Sequence, residues 1–133
     1  MSDRNLEDLH PDLKPLCEQW LAKCQQQSIG AFVTQTYRSV AEQDAMYAQG
    51  RTAPGKIVTN ARGGHSAHNF AMPDGTPAAK AFDFAIKSTG NELNWNVNSP
   101  EWKAAIAIGQ DLNMVWGGSW KSIKDYDHFQ LAE

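Results

Sequence analysis

The sequence predicts an α+β domain in which a small antiparallel sheet carries helices packed on one face. Three observations predict it. Apolar residues between Pro11 and Gln26 recur at helical spacing, the run "AFDFAI" (residues 81–86) alternates cleanly, and two short strand-like runs, "MVWGG" and "HFQLA", occupy residues 114–118 and 128–132. At 133 residues the chain has the length of one domain with a single core.

The elements follow in order. Leu13, Leu16, Cys17, Trp20, Leu21 and Cys24 form one apolar stripe, and Ser28-Ile29-Gly30 ends that helix. Cys17 and Cys24 are separated by a helical rise of about 10 Å, too far for a disulfide, so both are expected as buried thiols. "AFVTQTY" (residues 31–37) is rich in β-branched and aromatic residues and reads as a strand. Ser39 opens a second helix with Glu42 completing a capping box, and Gly50 suits its end. Residues 51–79 are punctuated by glycine and proline and read as loop, a length more often functional than decorative. In the following strand Phe82, Phe84 and Ile86 share one face, while Ala81, Asp83 and Ala85 share the other. Ser99-Pro100-Glu101 is a helix entry, with Trp102, Ile106 and Leu112 on its buried side.

A formal net charge of -3 argues against nucleic acid as the main partner, because phosphate binding calls for a basic face. The polar, acidic N-terminus has no signal-peptide core, and no run is long enough to span a bilayer. The expected location is therefore the cytosol, without membrane insertion.

"GGHSAHNF" (residues 63–70) holds two of the four histidines. His65 and His68 in this loop, Asp83 on a strand and His128 on the last strand could together supply the three protein ligands that a catalytic zinc site needs. Each also has an ordinary reading as a polar loop or strand residue, and His10 has no evident partner. A hydrolase needs a base as well, for which Asp125 and Asp127 are candidates. In a continuous strand both would point away from His128, so Asp125 can serve only if the chain turns or bulges before His128. A serine nucleophile at Ser66 is the rival, but the G-x-S-x-G elbow is missing, as is the H-E-x-x-H zinc helix. Trp116 and Trp120 flank a glycine pair. Core packing is expected for at least one of them, and the other is a candidate for the wall of a substrate groove.

Several separated motifs resemble one family in the right order. "TYRSVAEQDAMYAQGRTAPGKIVTNARGGHSAHNF", "AFDF", "WGGSW" and "DYDHFQ" are similar to the peptidoglycan L-alanyl–D-glutamate peptidases of phage endolysins, which group with zinc D-Ala-D-Ala carboxypeptidases and dipeptidases. The resemblance runs from about Thr36 to Leu131. It implies a zinc ion (Zn2+) held by His68 of the S-x-H motif, Asp83 of the A-x-D motif and His128. It further implies Asp125 as general base and Arg38 near the substrate carbonyl; in such a site Ser66 is expected to bind the substrate by a hydrogen bond or to orient the site, with no covalent role.

The implied activity is hydrolysis of the L-Ala–D-Glu bond of peptidoglycan stem peptides, with D-Ala-D-Ala cleavage or a non-catalytic wall-binding zinc module as alternatives. The implied organisation is one catalytic domain over residues 1–133, monomeric, with no separate wall-binding domain, stored in the cytosol until a holin-type pore releases it to the wall. One departure stands out: residues 69–80 are longer than the usual link between histidine and aspartate. They are expected to form a surface excursion centred on Asp74-Gly75.

Overall fold

The computed structural model describes residues 3–132. Its helices are α1 (Lys14–Gln26), α2 (Val40–Ala48) and α3 (Pro100–Asp111), and its strands are β1 (Gly30–Gln35), β2 (Ala81–Lys87), β3 (Met114–Trp116) and β4 (His128–Leu131). The strands form one antiparallel sheet in the order β1-β2-β4-β3. The α+β architecture read from the sequence is the one observed. β3 is shorter than expected, because Gly117–Ser119 leaves the sheet as a 3-10 turn.

The core lies between the sheet and the helices α1 and α3. Phe82, Phe84 and Ile86 of β2 are fully buried on one face, and Phe129 joins them from β4. Trp20 of α1 meets Phe82, Phe84 and Phe129 at ring-centroid distances of 5.6, 4.8 and 5.7 Å. Its indole N–H donates to the Ala105 carbonyl at 2.9 Å, so a large ring is buried with no orphaned donor. Each such side chain contributes roughly 1.5–3 kcal/mol through burial, which makes this aromatic cluster the main source of stability. Cys17 and Cys24 are buried free thiols within it, and burial pushes both up to about 12.

Helix ends obey local chemistry. Ser39 and Glu42 form the expected capping box, and Ser99 accepts from the Trp102 N–H. Past α1 and α3 the chain reverses through Ser28 and Asn113, both in the left-handed region at φ 59° and 66°. Helix α2 differs from the other two: its one fully buried residue is the polar Gln43. It serves the loop that follows it rather than the aromatic core.

Gly109 shows how closely α3 approaches β4. A Cβ there would lie 2.2 Å from Phe129 Cζ. Gly→Ala in a helix ordinarily gains about 1 kcal/mol, while overpacking a core costs about 1–3 kcal/mol. Gly109→Ala is therefore expected to lower Tm by several degrees in a thermal melt. A rise in Tm would mean that the Phe129 ring has room to move.

Candidate metal centre

Pairing of the strands creates the site. Asp83 of β2 lies directly opposite His128 of β4 in register, on the face away from the aromatic cluster. At the exit of β1 a bulge at Thr34 sets Gln35 opposite Asp83. The chain then runs on through Thr36 and Arg38 beside the 3-10 turn Ala67–Asn69. His68 in that turn is tied to it twice: its Nδ1 lies 2.7 Å from the Thr36 carbonyl, and the Arg38 N–H donates to the His68 carbonyl at 2.9 Å.

Three side chains converge. His68 Nε2 and His128 Nδ1 each stand 3.2 Å from the same oxygen, Asp83 Oδ1. Both histidines are buried, and the Asp83 side chain is only 15% exposed. Asp83 Oδ2 faces Arg38 Nη2 at 3.6 Å. That guanidinium is itself held by Gln43 Oε1 at 2.9 Å and Gln35 Oε1 at 2.7 Å. Burial by itself raises the Asp83 pKa, but the charge on His68 and hydrogen bonds from His128 and His68 outweigh it and hold the carboxylate below its usual range. For His128 burial acts downward, and the bond and charge of Asp83 carry the net shift upward.

The donors fit a divalent metal. A ligating histidine usually gives its outer N–H to a carboxylate, a main-chain carbonyl or a water, which leaves the inner lone pair free. His68 does so to the Thr36 carbonyl, and His128 Nε2 meets Gln130 Oε1 at 2.8 Å. Bonds of 2.0–2.2 Å in a tetrahedron imply ligand-to-ligand edges of roughly 3.4 Å, close to the two 3.2 Å separations.

Asp125 reaches this cluster because the chain turns. Tyr126 and Asp127 form a turn and β4 begins only at His128, so the condition set by the sequence is met. Asp125 Oδ2 stands 3.5 Å from His128 Nδ1 with its side chain 41% exposed, on the open side of the cluster. Gly117 permits this placement, since a Cβ there would lie 2.4 Å from the Asp125 carbonyl. The Asp125 N–H donates to the Gly117 carbonyl at 3.0 Å. Asp127 also turns toward the cluster, within 4.8 Å of donor atoms of Asp83 and Asp125. Burial, a hydrogen bond with Asp125 and the charge of Asp83 raise its pKa well above the carboxylate range.

The other candidates are placed as follows. Ser66 caps the 3-10 turn, its hydroxyl accepting from the His68 N–H at 3.2 Å. It also lines a groove of about 350 Å³ beside the cluster, with His65, Phe70, Lys80 and Gln130. His65 is exposed on that rim. His10 packs against Phe70 at 5.6 Å and lies outside the three-residue cluster. Residues 69–80 form the expected excursion, closed by an Ala71–Pro77 bridge around Gly75 at φ 89°. Trp116 packs against the core and donates to the Tyr126 carbonyl at 2.8 Å, while the Trp120 ring lies 4.9 Å from the His128 ring.

Sequence reasoning missed the polar residues that hold the site. Gln35 lies outside every motif, while Gln43 and Gln130 lie inside motifs that imply no role for them. Asn69 is a further case, although the S-x-x-N spacing of Ser66 and Asn69 resembles a capping box and marks it. Buried Asn69 accepts from the Gly64 and Ser66 N–H groups and donates to the Arg38 carbonyl at 2.8 Å.

A buried cluster of two histidines and an aspartate, open on one side to an acid, defines a small α+β domain of the metallohydrolase kind. The chain belongs to the D-alanyl-D-alanine carboxypeptidase family, whose model matches residues 59–131, from the histidine loop to the end of β4. It is 35% identical over 131 residues to the peptidoglycan L-alanyl-D-glutamate endopeptidase CwlK of Bacillus subtilis (strain 168), covering 93% of this chain and 74% of that protein. The fold is similar to that of the Serratia marcescens L-Ala D-Glu endopeptidase ChiX, with a TM-score of 0.58 and 22% identity over 99% of this chain and 89% of the other. It is also similar to the LD-carboxypeptidase LdcB, with a TM-score of 0.67 and 15% identity over 92% of this chain and 58% of the other.

Asn69→Ala would orphan two loop N–H groups and the Arg38 carbonyl, and a lost buried partner costs about 1–3 kcal/mol. The variant is expected to melt earlier and to exchange loop amides 61–70 faster with deuterium. Unchanged exchange would show that the histidine loop is held by its other bonds.

Proposed function

We propose that this protein is a zinc-dependent peptidoglycan endopeptidase that hydrolyses the L-Ala–D-Glu bond of stem peptides. One observation carries the reading: in a chain of this peptidase family, His68, Asp83 and His128 converge on one point and Asp125 stands beside it on the open side. The named activities of the Bacillus and Serratia relatives support the choice of bond.

When bound by His68, Asp83 and His128, a zinc ion would supply a water of lowered pKa and a Lewis acid for the scissile carbonyl. The chain's own residues do the rest. Asp125 takes the proton from the attacking water at its carboxylate and returns it to the leaving amine as the amide C–N bond breaks. Arg38, held in place by Gln35 and Gln43, faces the negative charge that develops on the carbonyl oxygen. Ser66, at the edge of the adjoining groove, hydrogen-bonds the substrate. The Trp120 ring packs beside the His128 ring at 4.9 Å.

The family's description keeps a second reading, removal of terminal D-Ala. A non-catalytic wall-binding module fits less well, because a structural zinc site closes its fourth position, whereas the Asp125 side chain beside this cluster is 41% exposed.

Digestion of purified peptidoglycan, read by mass spectrometry, separates the readings. Chelator-sensitive release of peptides with a new D-Glu N-terminus is expected; loss of terminal D-Ala alone would move the protein to the carboxypeptidase activity. Asp125→Ala should keep its zinc and lose about 10²–10⁴-fold in turnover, whereas loss of the metal would make Asp125 a ligand. His128→Ala should bind zinc far more weakly in a chelator competition. Full metal occupancy in that variant would remove His128 from the ligand set.

A further inference from the structure

The two histidines of the cluster present different nitrogens. His68 turns Nε2 inward and Nδ1 toward a main-chain carbonyl. His128 does the reverse, with Nδ1 3.2 Å from Asp83 Oδ1 and Nε2 2.8 Å from Gln130 Oε1. The cause lies in the sheet. His128 is directly opposite Asp83, so the ring nitrogen nearer its own backbone reaches the cluster, and the far nitrogen extends along the strand. Two residues on, on the same face of β4, Gln130 meets that far nitrogen.

A neutral imidazole carries its proton on one nitrogen and its lone pair on the other, and the hydrogen-bond partner of the first decides which. An acceptor at Nε2 therefore selects the Nε2–H tautomer and turns the lone pair of Nδ1 toward the cluster. We propose that Gln130 is a positioning residue whose carboxamide oxygen fixes the tautomer and ring orientation of His128 for metal binding. The inference rests on the zinc-ligand reading above. Gln130 Oε1 is the acceptor placed against His128 Nε2, at 2.8 Å. His68, by contrast, takes its equivalent bond from the main chain, which no side-chain substitution removes.

The effect is separable from a role in packing. A bond that merely steadies β4 would change stability when lost, but not which nitrogen of His128 carries the proton. The first measurement uses the zinc-loaded wild-type protein and long-range proton–nitrogen NMR of its imidazoles. Protonated Nε2 and metal-bound Nδ1 are expected at His128; protonated Nδ1 would overturn the proposal. The second compares zinc affinities by chelator competition. Gln130→Met, of similar length without a strong acceptor, should bind zinc about 10–100-fold more weakly, while Gln130→Glu, which restores an acceptor, should stay within about threefold of wild type. Wild-type affinity in Gln130→Met, with the Nε2–H tautomer kept, would also overturn it. If the wild-type protein takes up no zinc, the metal reading itself fails, an outcome distinct from zinc bound through the other nitrogen of His128.

Discussion

The structure depends on a carboxylate held in the middle of a sheet. Asp83 sits on β2, one of the two strands paired on both sides, between the exit of β1 and the start of β4. A buried charge without partners costs several kcal/mol, so a strand that carries this residue is stable only with its partners in place. They come from three separate parts of the chain: Arg38 after β1, His68 from the long loop, and His128 from the last strand. Strand pairing, loop docking and charge compensation are thus energetically coupled. The opposite face of β2 makes this tolerable, because Phe82, Phe84 and Ile86 bury fully against α1 and α3. One strand supports both the core and the site because successive side chains alternate.

The two faces are stabilised by different physics. On the core side the contacts are aromatic and apolar, non-directional and numerous. On the site side they are directional hydrogen bonds made by a few buried polar groups. Gln43 shows the difference: it accepts from Arg38, donates to the Ala61 carbonyl at 2.9 Å, and is fully buried. Helix α2 thereby fixes both a guanidinium and the beginning of the histidine loop without contributing a fully buried apolar residue. Networks of this kind are valuable when every member is satisfied and costly when one is lost.

The legible parts of the sequence were those governed by local rules. The stripe of α1, the Ser39–Glu42 capping box, the Ser99-Pro100 entry and the alternation of β2 all depend on neighbours within a few residues, and all appear in the fold. The turn before His128 was legible only as a condition, that Asp125 could serve if the strand began late. Asp127 was read as pointing away, yet the same turn carries its carboxyl to the cluster. The glutamines were hidden for a different reason. The glutamines at positions 35, 43 and 130 bond residues only three, five and two positions away, but their task appears only once those neighbours have joined a site built from distant parts of the chain. The early end of β3 was likewise out of reach, since it follows from the close approach of Gly117 to the Asp125 backbone.

The site's supports are unequal, and the inequality follows from where each histidine sits. His68 belongs to a loop, where orientation must be imposed from outside; a carbonyl at the end of a bulged strand imposes it, backed by Asn69 and the Arg38 N–H. His128 belongs to a strand, where the backbone already sets the direction of the side chain and only the ring remains to be oriented. The loop ligand therefore draws on many bonds, several of them main-chain, while the strand ligand needs few. Preorganisation accordingly lies mostly in the fold around His68 and mostly in side chains around His128. A long loop can contribute a ligand to a site built on strands because the missing rigidity is supplied by contacts with the β1 exit.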